Sequence, residues 1–449
     1  MPRTALTFHQ TFILVQTVII GNGISGITTA ITLRKHDPSA RIIVISGERD
    51  AFFARTALMY VYLRQMRPSD LTVYPDWFWV ENRIERVSGW VNHVDFNRKR
   101  VCLQDGSTLA YDRLVLATGS KPKILPHLPA GVKGVQGFYH WKDLEQMESG
   151  TKGIRRAVVV GGGLIGIELV EMLRSRNIET HFLIRENRYG ARILPQEEAD
   201  LVHEEIRLHG VQLHLDAEVA GIQTDVLDRI ESVLVRHSDG QGVQLPSEFL
   251  GVAIGVAPNI DGFSASALAT SEGILVNDRF ETNVPDVFAV GDCAEFKPPY
   301  PQQKRLEQWW YTGKMHGEVL GAVLSGKITR YQPIIPFNSA RFFGLVFQVY
   351  GQIRTESQSG VCSFFWRDPK RRRSFRVDYD ARTEAVLGIM SLGIRLRHAV
   401  CSDWIRQQTP VNDVMASLRA VRFDPEFSAA FESDVVRQFA QETGRTIRI

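Results

Sequence analysis

TVIIGNGISGITTAITLRKH, residues 17–36, is the stretch of sequence that decides the fold. A β-branched apolar run leads into three glycines with the spacing G-x-G-x-x-G, and a helical pattern follows. Gly21 permits a tight turn, Gly23 lets a pyrophosphate approach the backbone, and Gly26 lets helix and strand pack closely. The N-terminus of the helix then turns free N–H groups and its positive dipole end toward the phosphates. The stretch therefore predicts a strand–loop–helix unit that binds a dinucleotide.

The flanking sequence supports this unit. ARIIVISGE, residues 40–48, reads as a second buried strand, and it ends at an acid about 20 residues after the loop, where Glu48 can hold a ribose hydroxyl. TFILVQTVII, residues 11–20, is too short and too polar at Gln16 to cross a bilayer. It is predicted to be a strand, and no membrane span is expected.

The same device occurs a second time in RRAVVVGGGLIGIELVEMLRSRNIETHFLIREN, residues 155–187. Gly161, Gly163 and Gly166 repeat the spacing between a β-branched strand and a helix, and HFLI is the next strand. Two independent copies are far more specific than one. They predict that a single chain binds two dinucleotides.

Length and composition narrow the class of protein. The chain has 449 residues, which is more than one hydrophobic core usually holds. Its net charge of +3 does not indicate nucleic-acid binding. Four cysteines occur, none of them in C-x-x-C spacing, so neither a disulfide framework nor a metal site is expected. A cytoplasmic protein is the expectation.

Two charged stretches are interpreted as solvated surface. PKRRRSFR, residues 369–376, is predicted to be a solvated hairpin, with an acidic protein partner as the alternative. HEEIRLH, residues 203–209, is predicted to be a solvated helix face rather than a metal site.

Three further segments identify a family. YDRLVLATGSKP (111–122) joins a strand to a Thr-Gly turn, GVAIGVAPN (251–259) has a G-x-x-P-N crossover, and TNVPDVFAVGDCAE (282–295) ends a strand in Gly-Asp. In this order, around two glycine loops, they resemble the FAD/NAD(P)H pyridine nucleotide-disulfide reductase superfamily over residues 17–350.

The resemblance implies an α/β protein with two Rossmann-like domains and a C-terminal α+β dimerisation domain. The FAD-binding domain is expected over 1–125 and 256–330, and the NAD(P)H-binding domain over 126–255. The C-terminal domain, with a helical tail, is expected over 331–449, and a homodimer is expected with it. FAD would occupy the first loop and NAD(P)H the second.

The resemblance also implies roles for single residues. Thr118, Gly119 and Asp292 would lie on the flavin side, and Glu168 would lie near the nicotinamide and the flavin. Trp309 and Trp310, in RLEQWWYTGKMHGEVLGAVLSG (305–326), are candidates for stacking near either ring, whereas His316 is expected in surface or core. The further cofactor-binding residues expected are Ser25, Val91, Ile165 and Gly255.

The stretch AFFARTALMYVYLRQM, residues 51–66, lacks the redox cysteine that many members of this superfamily carry there. Thr56 stands at the position of that cysteine, and a hydroxyl cannot replace a thiolate. FARTAL instead resembles a segment of reductases for ferredoxin and rubredoxin, of nitrite reductase large subunits and of the apoptosis-inducing-factor group. That likeness places Arg55 near the FAD pyrophosphate. Electrons are therefore expected to leave the flavin without a protein disulfide.

The choice between NADH and NADPH stays open in the sequence. In LIRENRYGAR, residues 183–192, Arg185 stands where an acid would favour the ribose diol of NADH, and Glu186 follows it. Arg185 with Arg188 or Arg192 could clamp a 2′-phosphate, whereas Glu186 could hold the diol.

The function expected is hydride transfer from NAD(P)H to FAD, followed by electron transfer to an external acceptor such as an iron–sulfur protein or a small oxidant. Two alternatives are an NAD(P)H oxidase or nitrite-reductase-like flavin subunit, and a redox sensor whose reduction controls dimerisation and partner binding.

Overall fold

The computed structural model describes residues 15–298, 305–327 and 330–447. The first four residues of the strand predicted over 11–20 lie outside this part, and Gln16–Ile20 is strand, as predicted.

The strands follow one another along the described chain as β1 (Gln16–Ile20), β2 (Arg41–Ser46), β3 (Ile84–Ser88), β4 (Val91–Asp95), β5 (Arg100–Leu103), β6 (Thr108–Ala110), β7 (Arg113–Leu116), β8 (Ser120–Pro122), β9 (Val135–Gln136), β10 (Arg156–Val160), β11 (Glu179–Leu183), β12 (Gln212–His214), β13 (Ala217–Thr224), β14 (Ile230–His237), β15 (Gly242–Pro246), β16 (Phe249–Val252), β17 (Val256–Pro258), β18 (Ile274–Val276), β19 (Val287–Ala289), β20 (Ala294–Phe296), β21 (Phe337–Phe342), β22 (Leu345–Gly351), β23 (Val361–Arg367), β24 (Ser374–Asp380) and β25 (Val386–Leu392).

The α-helices are α1 (Ile24–His36), α2 (Leu58–Tyr62), α3 (Asp76–Glu81), α4 (Trp141–Gly150), α5 (Leu164–Ser175), α6 (Gln196–Leu208), α7 (Trp310–Leu324), α8 (His398–Arg406), α9 (Val411–Ala416) and α10 (Glu432–Thr443).

The described residues form two compact units. Unit 1 takes its residues from Met1–Ala54, Pro68–Lys121 and Ala257–Gln332. Unit 2 takes its residues from Arg55–Arg67, Pro122–Val256 and Pro333–Ile449. The division into three domains at 125/126, 255/256 and 330/331 stays a prediction.

Unit 1 is built on a five-stranded sheet in the order β19-β7-β1-β2-β3. All of its neighbouring strands are parallel, and the continuous apolar runs of β1 and β2 are buried on both faces, as is typical of doubly wound sheets. A three-stranded antiparallel sheet, β4-β5-β6, follows β3 in the chain. The parallel order brings the carboxyl ends of the strands to one edge, where ligands bind in such folds.

Helix α7 packs tightly on α1 because of glycines on one of its faces. A Cβ placed on Gly317 would lie 2.5 Å from the carbonyl oxygen of Ser25, and one on Gly321 would lie 2.8 Å from the amide nitrogen of Leu33. Only glycine permits this approach of two helix backbones. The segment after the Gly-Asp turn is thereby fixed against the helix that follows the first glycine loop.

The buried side of α7 also carries His316. Its ring is surrounded by Phe280, Phe296 and Tyr331, with centroids 5.2, 5.4 and 5.0 Å away. The side chain is 1% exposed, which confirms a core position, and neither ring nitrogen has a hydrogen-bond partner in the described part of the chain. Burial lowers the pKa of His316 to about 3, so the ring is neutral at pH 7.

Unit 2 contains the second parallel sheet, in the order β12-β11-β10-β16-β9, and an antiparallel sheet β13-β14-β15. Its C-terminal part is an antiparallel sheet in the order β21-β22-β25-β24-β23, and the helices α8, α9 and α10 bury their apolar faces with it. Two Rossmann-like folds and a C-terminal α+β part are therefore confirmed.

Strands β23 and β24 form the basic hairpin, which agrees with the prediction. The prediction that this hairpin is solvated is wrong in part. Arg376 is 5% exposed, and its guanidinium donates to Glu198, a residue of α6 that is 0% exposed, at 2.8 Å. Arg376 also pairs with Glu197, and Arg367 with Glu204. The acidic partner of this basic run is a helix of the same chain, because burying the cation requires a paired carboxylate.

The solvated face predicted for residues 203–209 is likewise wrong in part, because only Arg207, Leu208 and His209 are exposed. His203 and Glu205 are buried, and His203 Nε2 accepts a hydrogen bond of 2.9 Å from the backbone N–H of Tyr189. Glu205 pairs with Arg372 at 2.8 Å. The polar spacing suggested an exposed face, whereas His203 and Glu205 are covered by other parts of unit 2.

Candidate cofactor sites

The first glycine loop has the geometry of a phosphate cradle. Gly21 has φ +110°, and its N–H donates to the carbonyl oxygen of Ile45 at 2.9 Å. A Cβ on Gly21 would overlap the carbonyl oxygen of Ala117, and one on Gly26 would overlap the carbonyl oxygen of Gly21. Both positions therefore require glycine, for strand and helix to approach closely.

The middle glycine of the loop faces open space. No heavy atom lies within 4 Å of the place where a Cβ of Gly23 would be, and Gly23 is the N-cap of α1. A pyrophosphate can therefore reach the first-turn N–H groups of a 13-residue helix. The side chain of Asn22 donates to the carbonyl oxygen of Arg49 at 2.8 Å, which ties the loop to the segment that follows Glu48. These residues fit the pyrophosphate and ribose of an FAD molecule.

The second loop repeats this geometry in unit 2. Gly161 has φ +120°, and a Cβ there would overlap the carbonyl oxygen of Ala253. A Cβ on Gly166 would overlap the carbonyl oxygen of Gly161, whereas Gly163 again faces open space. Gly163 is the N-cap of α5, and Ile165 lies in the first turn of that helix. The second loop therefore fits a second dinucleotide.

The Gly-Asp turn lies against the first loop. Gly291 has φ +77°, and a Cβ there would overlap the hydroxyl of Ser25, which is buried at the start of α1. The carboxylate of Asp292 accepts a hydrogen bond of 2.8 Å from the hydroxyl of Ser120. Gln308 in turn donates to the same hydroxyl at 2.8 Å. The structure thus places the Gly-Asp turn beside Ser25 in unit 1. A shared cofactor for Ser25 and Asp292 stays a prediction.

Sequence reasoning missed Ser120 and Gln308. Ser120 directly follows the Thr-Gly turn, and Gln308 precedes the tryptophan pair, so both were within quoted motifs. Neither residue stands out in sequence, because Lys121 and Glu307 beside them are also polar.

The Thr-Gly turn is held by the crossover segment. The hydroxyl of Thr118 donates to the carbonyl oxygen of Asn259 at 2.8 Å, and the Asn259 N–H donates to the carbonyl oxygen of Gly119 at 2.9 Å. Gly119 has φ +67° and faces open space. A cofactor can therefore approach the backbone of this turn.

The tryptophan pair begins α7. Trp309 is the N-cap and Trp310 the first helical residue, and both are half-buried. Trp310 packs edge-on against Tyr311, with ring centroids 5.3 Å apart. A stacking role for either ring stays a prediction.

The second loop has an ionisable group beside it. The pKa of Glu168 is raised to about 8, first because of burial and then because of the neighbouring carboxylate of Glu171. Arg341 donates to Glu171 at 2.9 Å, and so compensates that second charge. The hydroxyl of the buried Tyr189 donates to the carbonyl oxygen of Gly163 at 3.3 Å. Burial, and after it the neighbouring Glu168, raises the pKa of Tyr189. The sequence did not point to Tyr189, because only the fold brings this residue next to the second loop.

The remaining predicted residues lie as follows. Arg185 is exposed and pairs with Glu186 at 3.1 Å, directly after β11 and the buried Ile184. Gly255 has φ +101° and accepts a hydrogen bond from the N–H of Lys123.

Arg55 and Val91 lie in different units. Arg55 belongs to unit 2, donates to the carbonyl oxygen of Tyr139 at 2.6 Å and packs 4.7 Å from the centre of that ring. Val91 begins β4 in unit 1 and is half-buried. Their contacts with FAD stay predictions.

The cysteines offer no redox pair. All four are free, Cys293 and Cys401 are buried, and burial raises the pKa of both of these thiols. Thr56 is exposed in a short 3-10 helix. Within residues 15–298, 305–327 and 330–447, no group of histidine, cysteine and acidic side chains could hold a metal ion. No helix in those ranges is both long enough and apolar enough to cross a membrane.

Comparison with known proteins identifies the family. The model of the pyridine nucleotide-disulphide oxidoreductase family matches residues 15–316. Nitrite reductase [NAD(P)H] of Bacillus subtilis is 30% identical over 304 residues, which are 65% of this chain and 37% of that protein. The ferredoxin reductase component of chlorobenzene dioxygenase from Cupriavidus is 29% identical over 337 residues, 75% of this chain and 80% of that protein.

A solved structure shows the same fold over almost the whole chain. A NAD-dependent persulfide reductase from A. fulgidus superimposes with a TM-score of 0.83 at 21% identity, covering 96% of this chain and 84% of that one. The chain spans only 37% of that nitrite reductase, and 38% of the assimilatory nitrate reductase electron transfer subunit of Bacillus subtilis. The predicted enzyme class and cofactors are confirmed at the level of the family. The chain belongs to the pyridine nucleotide-disulphide oxidoreductases, a family of oxidoreductases that depend on FAD and NAD(P)H.

Proposed function

We propose that this protein takes hydride from NAD(P)H into FAD and passes the electrons to an external acceptor, without a protein disulfide. The observation that carries the proposal is the pair of glycine loops with equal geometry, each with an open middle glycine at a helix N-terminus. Two such cradles in one chain suit an electron donor and a resident flavin. When bound, FAD supplies a ring that accepts a hydride and releases electrons to the acceptor.

The residues of the chain bind and orient. The first loop would hold the FAD pyrophosphate, Glu48 its ribose, and Asp292 the ribityl chain, positioned by the hydroxyl of Ser120. The second loop would hold the nicotinamide dinucleotide. Because the pKa of Glu168 is about 8, its carboxyl group keeps a proton at neutral pH and adds no negative charge beside that loop.

We propose an iron–sulfur protein of the ferredoxin or rubredoxin type as the acceptor. Relatives of this chain pass electrons to such partners. The absence of any C-x-x-C spacing and the burial of Cys293 and Cys401 support direct release from the flavin. A cytoplasmic location and a homodimer formed through the C-terminal part belong to the same proposal.

The choice of nicotinamide nucleotide is proposed to be made at Arg185 and Glu186. Their ion pair sets one cation and one anion at the same strand end. Arg185→Ala should weaken the binding of NADPH more than that of NADH, since only NADPH carries a 2′-phosphate. Glu186→Ala should weaken the binding of NADH more than that of NADPH.

Anaerobic stopped-flow reduction tests the function. Rapid bleaching of the flavin by NADH or NADPH, slow reoxidation by oxygen and fast reoxidation by an added ferredoxin would support the proposal. Fast reoxidation by oxygen would replace it with an oxidase, and slow reduction that changes the oligomeric state would replace it with a redox sensor. A purified protein that binds no FAD after reconstitution would refute it.

A second candidate is a flavin module for nitrite reduction, favoured by the 30% identity to nitrite reductase [NAD(P)H] of Bacillus subtilis. This chain spans 37% of that protein, so the match concerns only the flavin part of it. Electron transfer from NAD(P)H to added ferredoxin but not to a nitrite-reducing protein would contradict this second candidate.

A further inference from the structure

Trp90 lies at the edge of the unit 1 sheet where ligands bind. It comes two residues after β3, and β3 runs parallel to β2. The N–H of Gly89 donates to the carbonyl oxygen of Ser46 at 2.8 Å, so the ends of the two strands are held side by side. The residues that continue β2 are Gly47 and then Glu48, the acid expected to hold the FAD ribose.

The indole of Trp90 lies flat on the backbone of Gly47. A Cβ placed on Gly47 would come within 2.6 Å of Cε2 and of Cε3 of the indole, so the centre of the ring faces the glycine. Trp90 is nevertheless 55% exposed. A large aromatic ring is thus supported by backbone on one side and left open to solvent, beside Glu48.

The order of the groups at this edge follows the order of groups in a dinucleotide. The first glycine loop offers N–H groups to phosphate, and the hydrogen bond from Asn22 to Arg49 joins that loop to the segment of Glu48. Glu48 suits the ribose, and Trp90 adjoins the residue before it. The base is attached to the ribose on the side away from the phosphates, and an exposed indole offers such a base a stacking surface.

We propose that Trp90 is the stacking platform for the adenine of FAD, and that Gly47 lacks a side chain so that the indole can lie flat there. This inference rests on the proposed function, since it takes FAD as the ligand of the first loop. It assigns a role in cofactor affinity to Trp90, with Gly47 as its support, and leaves the redox chemistry unchanged.

The test measures FAD binding to the apoprotein by calorimetry. Trp90→Ala should raise the Kd of FAD about ten- to a hundredfold, the size expected for the loss of one base–aromatic stack. Trp90→Phe should restore most of the affinity, because a smaller aromatic face remains. Gly47→Ala should weaken binding in the same direction, because the new methyl group tilts the indole. Trp77→Ala, which removes another exposed tryptophan of unit 1 (60% exposed), should leave the Kd unchanged.

Competition separates stacking from a structural effect. ADP, which carries the adenine, should displace FAD less well from the Trp90→Ala variant by a similar factor, whereas inorganic pyrophosphate should compete as in the wild type. Equal FAD affinity of the wild type and Trp90→Ala would overturn the inference, as would a parallel loss of pyrophosphate competition or no recovery in Trp90→Phe. A wild-type protein that binds no FAD would overturn the proposed function itself.

Discussion

The two glycine loops have almost the same backbone, but their surroundings differ. The first loop is enclosed by close backbone packing: Ser25 lies against Gly291, and α7 approaches α1 through Gly317. The second loop belongs to a unit with buried ionisable groups, namely the protonated carboxyl group of Glu168 and the ion pair between Glu198 and Arg376. One cradle is therefore stabilised mainly by steric fit, and the other lies in a unit that depends on paired charges.

This difference shows that the glycine motif determines where a dinucleotide binds but not which interactions stabilise the surrounding unit. Steric fit is insensitive to pH and salt, whereas a buried carboxyl group responds to pH because its charged form is poorly solvated. Unit 2 should therefore respond to substitutions of acidic residues, and unit 1 to substitutions that add volume.

The largest effect is expected where the loops are alike. Gly21→Ala should abolish FAD retention, and Gly161→Ala should abolish reduction by NAD(P)H while FAD is retained. Each added methyl group overlaps a carbonyl oxygen at positive φ, which should cost about 3 kcal/mol or more of local stability. Flavin absorbance and stopped-flow reduction measure the two losses.

Gly262→Ala provides the control, because Gly262 lies in unit 1 with open space around it. It should keep both FAD and reduction by NAD(P)H. Retention of FAD by Gly21→Ala would show that the first loop does not hold that cofactor.

The second-largest loss of stability is expected in unit 2. Glu198→Ala leaves the guanidinium of Arg376 buried with one carboxylate fewer, and breaking such a pair costs about 3–5 kcal/mol. Arg367→Ala, which breaks the exposed pair with Glu204, should cost less than about 1 kcal/mol. Chemical denaturation measures both values, and equal losses would show that burial does not distinguish the two ion pairs.

His316 should respond to acid, although it lies in the unit held by steric fit. Its folded pKa of about 3 lies below the ordinary value of 6.5, so its contribution is present above pH 6.5 and is lost as pH falls toward 3. His316→Phe should be at least as stable at pH 7, because it removes two buried nitrogens that have no partner among the described residues. Its Tm should also fall less between pH 7 and pH 5. An equal fall in both proteins would contradict the buried neutral ring.

The smallest effect concerns Glu168. Its folded pKa of about 8 exceeds its ordinary value, 4.5, so its contribution is present below pH 4.5 and is lost as pH rises toward 8. Glu168→Gln removes this loss, and it should raise Tm at pH 8 by about 2–4 °C relative to the wild type. At pH 5 the difference should be close to zero. A Tm difference that does not change with pH would argue against a raised pKa.

The sequence predicted what depends on local chain geometry. Both glycine loops, the strands around them and the C-terminal hairpin follow from spacing and alternation, and the structure contains them. Contacts between side chains that are far apart in the sequence could not be predicted from local spacing. The burial of Arg376, the hydroxyl of Ser120 beside Asp292 and the contact of Tyr189 with Gly163 each join residues more than 20 positions apart. Charge patterns misled for the same reason, because residues 203–209 and the basic hairpin have partners in the same chain.

The strand order of unit 1 has a consequence for biosynthesis. Its sheet begins with β1 and β2, but the edge strand β19 (Val287–Ala289) and the Gly-Asp turn are translated only after both cradles and most of unit 2. A nascent chain that ends before residue 287 therefore exposes the apolar edge of β7 and lacks Asp292. Ribosome-bound chains should acquire the capacity to retain FAD late, once the chain has been translated well beyond residue 292.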